Sequence, residues 1–259
     1  MIQYIINEMN IYKEFAHFYV RGHYPHFSEK ILQLFPGVLK HFNIRPQTIL
    51  DIACGEGTFA LGMAKKGYDV TGIDLSQEML QYAKEKARKE NAKLEFFHQD
   101  MRSLNFQDTF NLATCWYDSL NYVLELEELE QTFAGVNRSL KRKGFFIFDM
   151  NTIYGLAVNW QKYPCYVQQD SGEIFEVHQP EYDFDKNIAT LMITGFIKKE
   201  HEWERIGELH RERAFSLEEI RYCLKKTDFQ ELACWGSLRE MTEPKKDSAR
   251  IWFVARKTG

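Results

Sequence analysis

The chain has 259 residues, of which 44% are hydrophobic, and this is enough to bury the core of one large domain. Its formal net charge of -4 argues against a protein that binds nucleic acid through a broadly basic surface. Its five scattered cysteines contain no Cys-x-x-Cys pair, which argues against a zinc or redox motif and favours reduced thiols.

Signals for export or membrane insertion are not evident in the sequence. Residues 1–10 include Glu8 and lack a basic start followed by a long apolar centre. No later stretch reaches the ~18 uninterrupted apolar residues that a membrane-spanning helix needs. We therefore expect a cytoplasmic protein with no membrane partner.

Strands and helices alternate between residues 48 and 150. A helical pattern follows each of the first two predicted strands, and Ser76 caps the second of these helices. A third helical pattern covers 126–140. Short apolar runs predict strands at 48–53, 69–73, 94–98, 110–116 and 145–149. Because parallel neighbours need a crossover, this alternation predicts an α/β fold with a Rossmann-like, doubly wound sheet.

The pattern changes after residue 150. Consecutive β runs fill 163–215, including strands at 188–197 and 203–214. Ser216 then opens a helix, and two further strands at 229–235 and 249–255 complete the pattern. We expect one domain built from 1–150, with an N-terminal helical cap, and 216–259. An antiparallel β insertion at 151–215 would serve as a lid over the molecule that the domain acts on or as a dimer surface.

A glycine-bearing turn, DIACGEG at 51–57, joins the first predicted strand to the first helix of the alternating region. Gly55 and Gly57 allow the backbone to turn tightly and to approach a ligand closely. Taken alone, Gly55-x-Gly57-x-x-Ala60 also fits the pattern of dinucleotide binders.

Three acids fall at the ends of neighbouring predicted strands. Asp51 closes the first strand, Asp74 follows the second and Asp100 follows the third, so all three should meet at the carboxyl edge of the sheet. Carboxylates there suit a ligand with a cationic sulfonium, an ammonium, ribose hydroxyls and an exocyclic amine. A pyrophosphate would be repelled.

With these motifs in this order and spacing, the chain resembles the class I S-adenosylmethionine-dependent methyltransferases, over roughly residues 15 to 150 and the last two strands. The resemblance implies a seven-stranded sheet with S-adenosylmethionine as cofactor. In the family, the segment matching 50–57 wraps the methionine part, the acid matching Asp74 takes the ribose hydroxyls, and Asp100 with Met101 matches the adenine contacts. Ala53 stands where the family usually has its first glycine.

Two further segments strengthen the resemblance. The run WYDSLNY at 116–122 looks like variants from the glycine-type and sugar-amine-type N-methyltransferase branches, which places Tyr117 and Asp118 as catalytic candidates. The aromatic segment at 15–24 resembles one that closes over the cofactor, where Tyr19 and Arg21 would meet a carboxylate. Core packing of the same aromatic stripe is an equal alternative. The cofactor-binding residues implied are Tyr19, Arg21, Asp51, Ala53, Cys54, Gly55, Gly57, Asp74, Leu75, Met79, Asp100, Met101, Arg102 and Trp116.

The acceptor and the general base stay open at this point. We expect a small-molecule acceptor methylated at nitrogen or oxygen, no nucleic acid partner and no metal, with a homodimer as one open arrangement. Base candidates besides Tyr117 and Asp118 are His178, His201 and His210, for each of which a surface or structural role is the alternative. The competing functions are an NAD(P)-dependent oxidoreductase, a non-catalytic methyltransferase-fold module, and other chemistry on the same cofactor.

Overall fold

Two β-sheets organise the chain in the computed structural model, which describes residues 11–200 and 202–259. The larger sheet has seven strands. They are β1 (Thr48–Ile52), β2 (Asp69–Asp74), β3 (Glu95–His98), β4 (Phe110–Cys115), β5 (Leu140–Asn151), β10 (Phe229–Trp235) and β11 (Arg250–Lys257).

The strand order of the larger sheet is β10-β11-β5-β4-β1-β2-β3. The five strands from β1 to β5 run parallel, whereas β11 is antiparallel to both of its neighbours. The chain moves outward from β1 in one direction and then returns to build β4 on the other side. This reversal leaves a crevice at the carboxyl ends of β1 and β4, where open α/β sheets bind ligands.

Helices cover both faces of the larger sheet. They are α2 (Pro25–His41), α3 (Thr58–Lys65), α4 (Gln77–Lys89), α5 (Leu126–Ser139) and α6 (Leu217–Lys226). On one face, Phe35 of α2 and Phe59 of α3 pack with Ile49 of the central strand. On the other face, Phe133 of α5 and Ile220 of α6 pack over Phe146 and Phe148 of β5. Burial on both faces explains why the central strands are continuously apolar.

The second sheet is antiparallel, in the order β6-β7-β8-β9. Its strands are β6 (Tyr166–Asp170), β7 (Ile174–Asp183), β8 (Ile188–Lys199) and β9 (Glu202–Arg213). The short helix α1 (Phe15–Arg21) lies on this sheet, because Phe15 and Phe18 share a core with Ile193 and Ile206. The aromatic N-terminal segment and the second sheet therefore form one wall of the molecule.

The predicted Rossmann-like fold with an antiparallel β insertion is confirmed, with most strand ends within two residues of the prediction. One difference concerns β5, which begins at Leu140 and continues through Gly144, where the sequence predicts a break. Lys143 has a φ of 61°, and the pairing of β4 with β5 shifts register between Phe110 and Leu112. A bulge of this kind absorbs the irregular residues without ending the strand.

Candidate functional site

A cavity of about 290 Å³ opens at the carboxyl ends of the parallel strands. The turn after β1, the ends of β2 and β4 and the loop after β3 supply its floor. Tyr12 and Tyr19 of the N-terminal segment, together with Leu209 and Arg211 of β9, supply the opposite wall. The cavity thus lies between the larger sheet and the wall built from α1 and the second sheet.

The glycine-bearing turn after β1 is shaped by left-handed backbone conformations. Gly55 and Gly57 have φ values of 56° and 81°, which L-residues rarely adopt. A Cβ atom on Gly55 would lie 3.2 Å from Cε of Met79, and one on Gly57 would lie 3.0 Å from Cβ of Ala83. Both glycines are therefore required for the turn to pack closely against α4.

Asp51 at the end of β1 is a buried carboxylate with an unused oxygen. The hydroxyl of Thr114 donates to Oδ1 at 2.9 Å, whereas Oδ2 has no partner among the described residues. Burial raises the pKa of Asp51 to about 7, the Thr114 hydrogen bond lowers it and the nearby Asp74 raises it. Asp51 lines the cavity, so a cationic group of a ligand would satisfy this oxygen.

Asp74 at the end of β2 ties the glycine turn to the start of α4. The backbone N–H groups of Gly55 and Ser76 each donate to one of its carboxylate oxygens at 2.8 Å. Burial raises the pKa of Asp74, and these backbone hydrogen bonds partly offset the rise. The remaining lone pairs of a carboxylate held in this way can accept hydroxyl donors from a ligand in the cavity.

Asp100 follows β3 and is gripped by Arg102. The Arg102 side chain donates to both carboxylate oxygens, with Nη2 at 2.6 Å from Oδ2, and also reaches Oε1 of Glu128 at 2.9 Å. Burial raises the pKa of Asp100, but the hydrogen bonds from Arg102 outweigh it and the net pKa is lowered. Asp100 is therefore ionised at neutral pH on the rim of the cavity.

Most of the predicted site residues meet at this cavity. Those that line it are Tyr19, Asp51, Ala53, Cys54, Gly55, Asp74, Leu75, Met79, Asp100, Met101, Arg102, Trp116 and Tyr117. Gly57 lies in the adjoining turn and contacts α4. Arg21 instead forms an ion pair with Glu173 of the second sheet, with Nη2 at 2.5 Å from Oε2.

Asp118 belongs to a buried ionic network. Nη2 of Arg250 lies 2.7 Å from its Oδ2, and the Asn151 amide also donates to that oxygen at 2.7 Å. Arg250 also pairs with Asp149, whose carboxylate accepts the backbone N–H of Tyr117 at 2.7 Å and that of Asp118 at 3.1 Å. Tyr117 and Asp118 both have left-handed backbones, with φ values of 59° and 55°. The network holds this strained turn, which points Tyr117 into the cavity.

The base candidates among the histidines occupy different surroundings. His178 is buried in the second sheet beside Glu176 and Tyr24, and it does not line the cavity. His210 is buried behind Tyr122, a cavity-lining residue, with Nδ1 2.9 Å from the phenolic oxygen. His201 lies outside the described residues.

Sequence reasoning missed several residues of the site. Tyr12, Leu209 and Arg211 come from segments far from the glycine turn, and no local pattern marks them. Arg250 and Asp149 did carry a signal, because each places a charge at the end of an otherwise apolar strand. Such a charge needs a buried partner.

The part of the chain that the structure describes contains neither a cluster suited to a metal ion nor a helix suited to a membrane span. Among the residues that the structure describes, no group of three His, Cys, Asp or Glu side chains could hold a metal ion. Within 11–200 and 202–259, no helix is long and apolar enough to cross a membrane.

Comparison with known proteins identifies the family. A family model described as a methyltransferase domain matches residues 49–144. YqeM of Bacillus subtilis (strain 168), which is named for methyltransferase activity with no stated acceptor, is 33% identical over 213 residues that cover 81% of this chain and 84% of YqeM. The crystal structure of an S-adenosylmethionine-dependent methyltransferase from Clostridium acetobutylicum ATCC 824 aligns with a TM-score of 0.83 and 28% identity, covering 96% of this chain and 100% of that one.

The chain belongs to the S-adenosylmethionine-dependent methyltransferases. The predicted activity and cofactor are confirmed, and the NAD(P)-dependent alternative is set aside. CalS10, an amino pentose methyltransferase from Micromonospora echinaspora whose structure contains the cofactor, shares the fold of this methyltransferase, with a TM-score of 0.68 and 16% identity over 95% of this chain and 96% of CalS10.

The cavity of this methyltransferase fits S-adenosylmethionine. The unpartnered Oδ2 of Asp51 suits the ammonium of the methionine part, and Cys54 and Gly55 of the glycine turn line the same cavity. Three acids on the ends of adjacent strands match the cationic and hydroxyl-bearing parts of the cofactor.

Proposed function

We propose that this methyltransferase passes a methyl group, by in-line displacement, to a nitrogen or oxygen atom of a small-molecule acceptor. The observation that carries the proposal is the position of the cavity between the strand ends and the wall of α1 and β9, which faces the cavity with Tyr19 and Leu209. A cavity of about 290 Å³ within such walls suits a small metabolite better than a polymer, which would need an open groove.

The residues of the floor are assigned to the cofactor. Asp51 would hold the ammonium of the methionine part, Asp74 the ribose hydroxyls, and Asp100 with Met101 the adenine edge. Arg21 would reach the cofactor carboxylate only by exchanging its present partner Glu173. When bound, S-adenosylmethionine supplies a methyl group on a cationic sulfur.

The aromatic residues around the cavity are assigned to the transfer itself. Methyl transfer from a sulfonium chiefly requires alignment of the reacting atoms and exclusion of water. Tyr19, Trp116 and Tyr117 line the same cavity, and their electron-rich faces favour a cationic group. The hydrogen bond between the hydroxyls of Tyr12 and Tyr122, at 3.2 Å, helps to join the N-terminal segment to the floor. These rings would exclude water and narrow the path of the acceptor.

The insertion at 151–215 is proposed as the acceptor side of the site. Leu209 and Arg211 of β9 line the cavity, which supports this role over that of a dimer surface alone. The resemblance of 116–122 to sugar-amine and glycine N-methyltransferases, and the fold shared with CalS10, favour amines as the first acceptors to test.

The test is a product assay with defined acceptors. The purified protein is incubated with S-adenosylmethionine and, in separate reactions, glycine, D-glucosamine and 4-nitrophenol, and the products are measured by mass spectrometry. The proposal predicts a singly methylated product from at least one probe, lost in the Asp74→Ala variant. Binding of S-adenosylhomocysteine without methylation of any small amine or hydroxyl compound would contradict it.

A further inference from the structure

Tyr122, His210 and Glu208 form a hydrogen-bonded chain that leads away from the cavity. Tyr122 follows β4 and lines the cavity, and its hydroxyl lies 2.9 Å from Nδ1 of His210. Nε2 of the same imidazole lies 3.1 Å from Oε2 of Glu208. We propose that Tyr122 accepts the proton that leaves the methyl acceptor, with His210 and Glu208 as positioning residues. This inference rests on the proposed transfer to nitrogen or oxygen.

The hydrogen bonds fix the tautomer of His210. A carboxylate only accepts, so Nε2 of His210 must carry a hydrogen to bond to Glu208. In the neutral imidazole, Nδ1 is then an acceptor, and it can only receive the phenolic hydrogen of Tyr122. The Tyr12 hydroxyl, 3.2 Å away, then donates to one lone pair of the Tyr122 oxygen, and the other lone pair is left for a donor from the cavity side. The arrangement of carboxylate, imidazole and hydroxyl follows the logic of other oriented bases.

Glu208 is well placed to remain ionised. Besides His210, its carboxylate accepts the backbone N–H groups of Tyr12, Glu14 and Phe15 at 2.8 to 2.9 Å. Burial raises the pKa of Glu208, but its hydrogen bonds and the neighbouring imidazole outweigh burial and the net pKa is lowered. A carboxylate held in this way orients the imidazole and stabilises it once it becomes charged.

Tyr122 cannot act as a pre-ionised base. Burial raises the pKa of its phenol well above the ordinary value, and the nearby Tyr12, Glu212 and Asp118 add to the rise. The hydroxyl is therefore neutral and must pass its own proton on when it takes another. His210, which is only 2% exposed, is the group in direct contact that can receive that proton.

The atoms balance as follows for an amine or hydroxyl acceptor. The acceptor atom forms a bond to the methyl carbon with its lone pair, and the carbon–sulfur bond breaks with its electron pair moving to sulfur. The acceptor proton passes to the Tyr122 oxygen as the phenolic proton passes to Nδ1 of His210. Tyr122 ends neutral, and His210 ends as an imidazolium beside the Glu208 carboxylate.

A second cluster of the same composition provides a matched control. In β7, His178 lies beside Glu176, and its Nδ1 is 3.3 Å from the hydroxyl of Tyr166. Neither Tyr166 nor His178 lines the cavity. Tyr122→Phe and Tyr166→Phe therefore remove the same kind of hydrogen bond from a buried histidine, but only the first change alters the cavity.

The test compares the kcat and KM values of these variants in the D-glucosamine and glycine reactions. General-base catalysis typically contributes 10²- to 10⁴-fold, so Tyr122→Phe should lower kcat roughly 100-fold or more with little change in the KM for S-adenosylmethionine. Tyr166→Phe should stay within about twofold of the unaltered protein. In Glu208→Gln, kcat should fall with little change in the KM for S-adenosylmethionine, because the imidazole loses the carboxylate that orients it.

A measurement that needs no acceptor completes the test. Spectra of protein labelled with ¹⁵N-histidine should show His210 as the Nε2–H tautomer, with an Nδ1 signal that moves in Tyr122→Phe and not in Tyr166→Phe. An Nδ1–H tautomer, or full activity in Tyr122→Phe, would overturn the inference. Should the unaltered protein bind S-adenosylhomocysteine but methylate no probe, the small-molecule function fails, and the spectra separately decide whether Nδ1 of His210 is the acceptor that the inference requires.

Discussion

Asp51 has opposite effects on ligand binding and on folding. Its pKa of about 7 in the folded protein is above the ordinary value of an aspartate, so protonation favours the folded state. The stabilisation is fully present below the unfolded pKa near 4 and is lost as the pH rises through about 7. Above that pH, the ionised carboxylate is buried with an unpartnered oxygen until a cationic ligand arrives.

We therefore expect Asp51→Asn to stabilise the ligand-free protein by about 2 to 4 kcal/mol at pH 8 and by little at pH 4. The same change should weaken S-adenosylmethionine binding, and the unaltered protein should bind the cofactor less tightly as the pH falls below about 7. Urea unfolding and calorimetry at both pH values measure the two effects. The exposed Asp69, changed to Asn, is the control. A stability difference that does not depend on pH would rule out this account.

Arg250 compensates two buried carboxylates, and its guanidinium also lies over the rings of Phe27 and Tyr117. Burial raises the pKa of Asp149 to about 6 even with Arg250 beside it. Removing one partner of a buried pair typically costs 3–5 kcal/mol, so Arg250→Met should lower the free energy of unfolding by about that amount at pH 8. The cost should shrink near pH 5, where Asp149 can take up a proton.

Arg256 of the same strand gives the control for this prediction. Its side chain bonds Gln230 at the surface, at 2.9 Å, so Arg256→Met should cost less than about 1 kcal/mol in urea unfolding. An equal loss of unfolding free energy in the two variants would contradict the stabilising role given to the buried network around the Tyr117 turn.

Helices α2 and α3 illustrate how packing decides the effect of one substitution. A Cβ atom on Gly62 of α3 would lie 2.4 Å from Cδ1 of Leu32, whereas one on Gly37 of α2 would lie 3.7 Å from Cε of Met241. Gly62→Ala should therefore destabilise by about 1 to 3 kcal/mol through overpacking. Gly37→Ala should stabilise by about 0.5 to 1 kcal/mol through helix propensity. Thermal unfolding of both variants checks this, and two changes of the same sign would contradict it.

The start of a helix or strand could be predicted where it depends on residues that are adjacent in the sequence. Ser216 caps α6, and the predicted start of that helix is confirmed by a hydrogen bond of 3.1 Å from the backbone N–H of Glu219 to the Ser216 hydroxyl. The start of β5 could not be predicted. It depends on the pairing of Leu140 with Phe110 across the sheet, a tertiary contact that overrides the break expected at Gly144.

At the scale of the whole molecule, the floor of the site was predictable, whereas Tyr19 was the one residue of its opposite wall described above that the sequence pointed to. The glycine turn, Asp74 and Asp100 are recognisable because each is a short motif at a strand end. The partners of Arg21 and Asp118 lie 152 and 132 positions away in the sequence, at Glu173 and Arg250. Only the folded structure shows that these two side chains form ion pairs with distant residues instead of lining the cavity.

The central claim is that the cavity at the strand ends binds S-adenosylmethionine. Calorimetry tests it most directly, by titrating the purified protein with S-adenosylmethionine, S-adenosylhomocysteine and NADH. The same titrations are made on variants changed at either end of β2. The account predicts that the adenosyl compounds bind and NADH does not. Asp74→Ala should weaken cofactor binding by roughly 1.5 to 3 kcal/mol, about 10- to 150-fold, through loss of charge-assisted hydrogen bonds, while Asp69→Ala leaves it unchanged. Absence of adenosyl binding, or equal affinities in the two variants, would contradict the site described here.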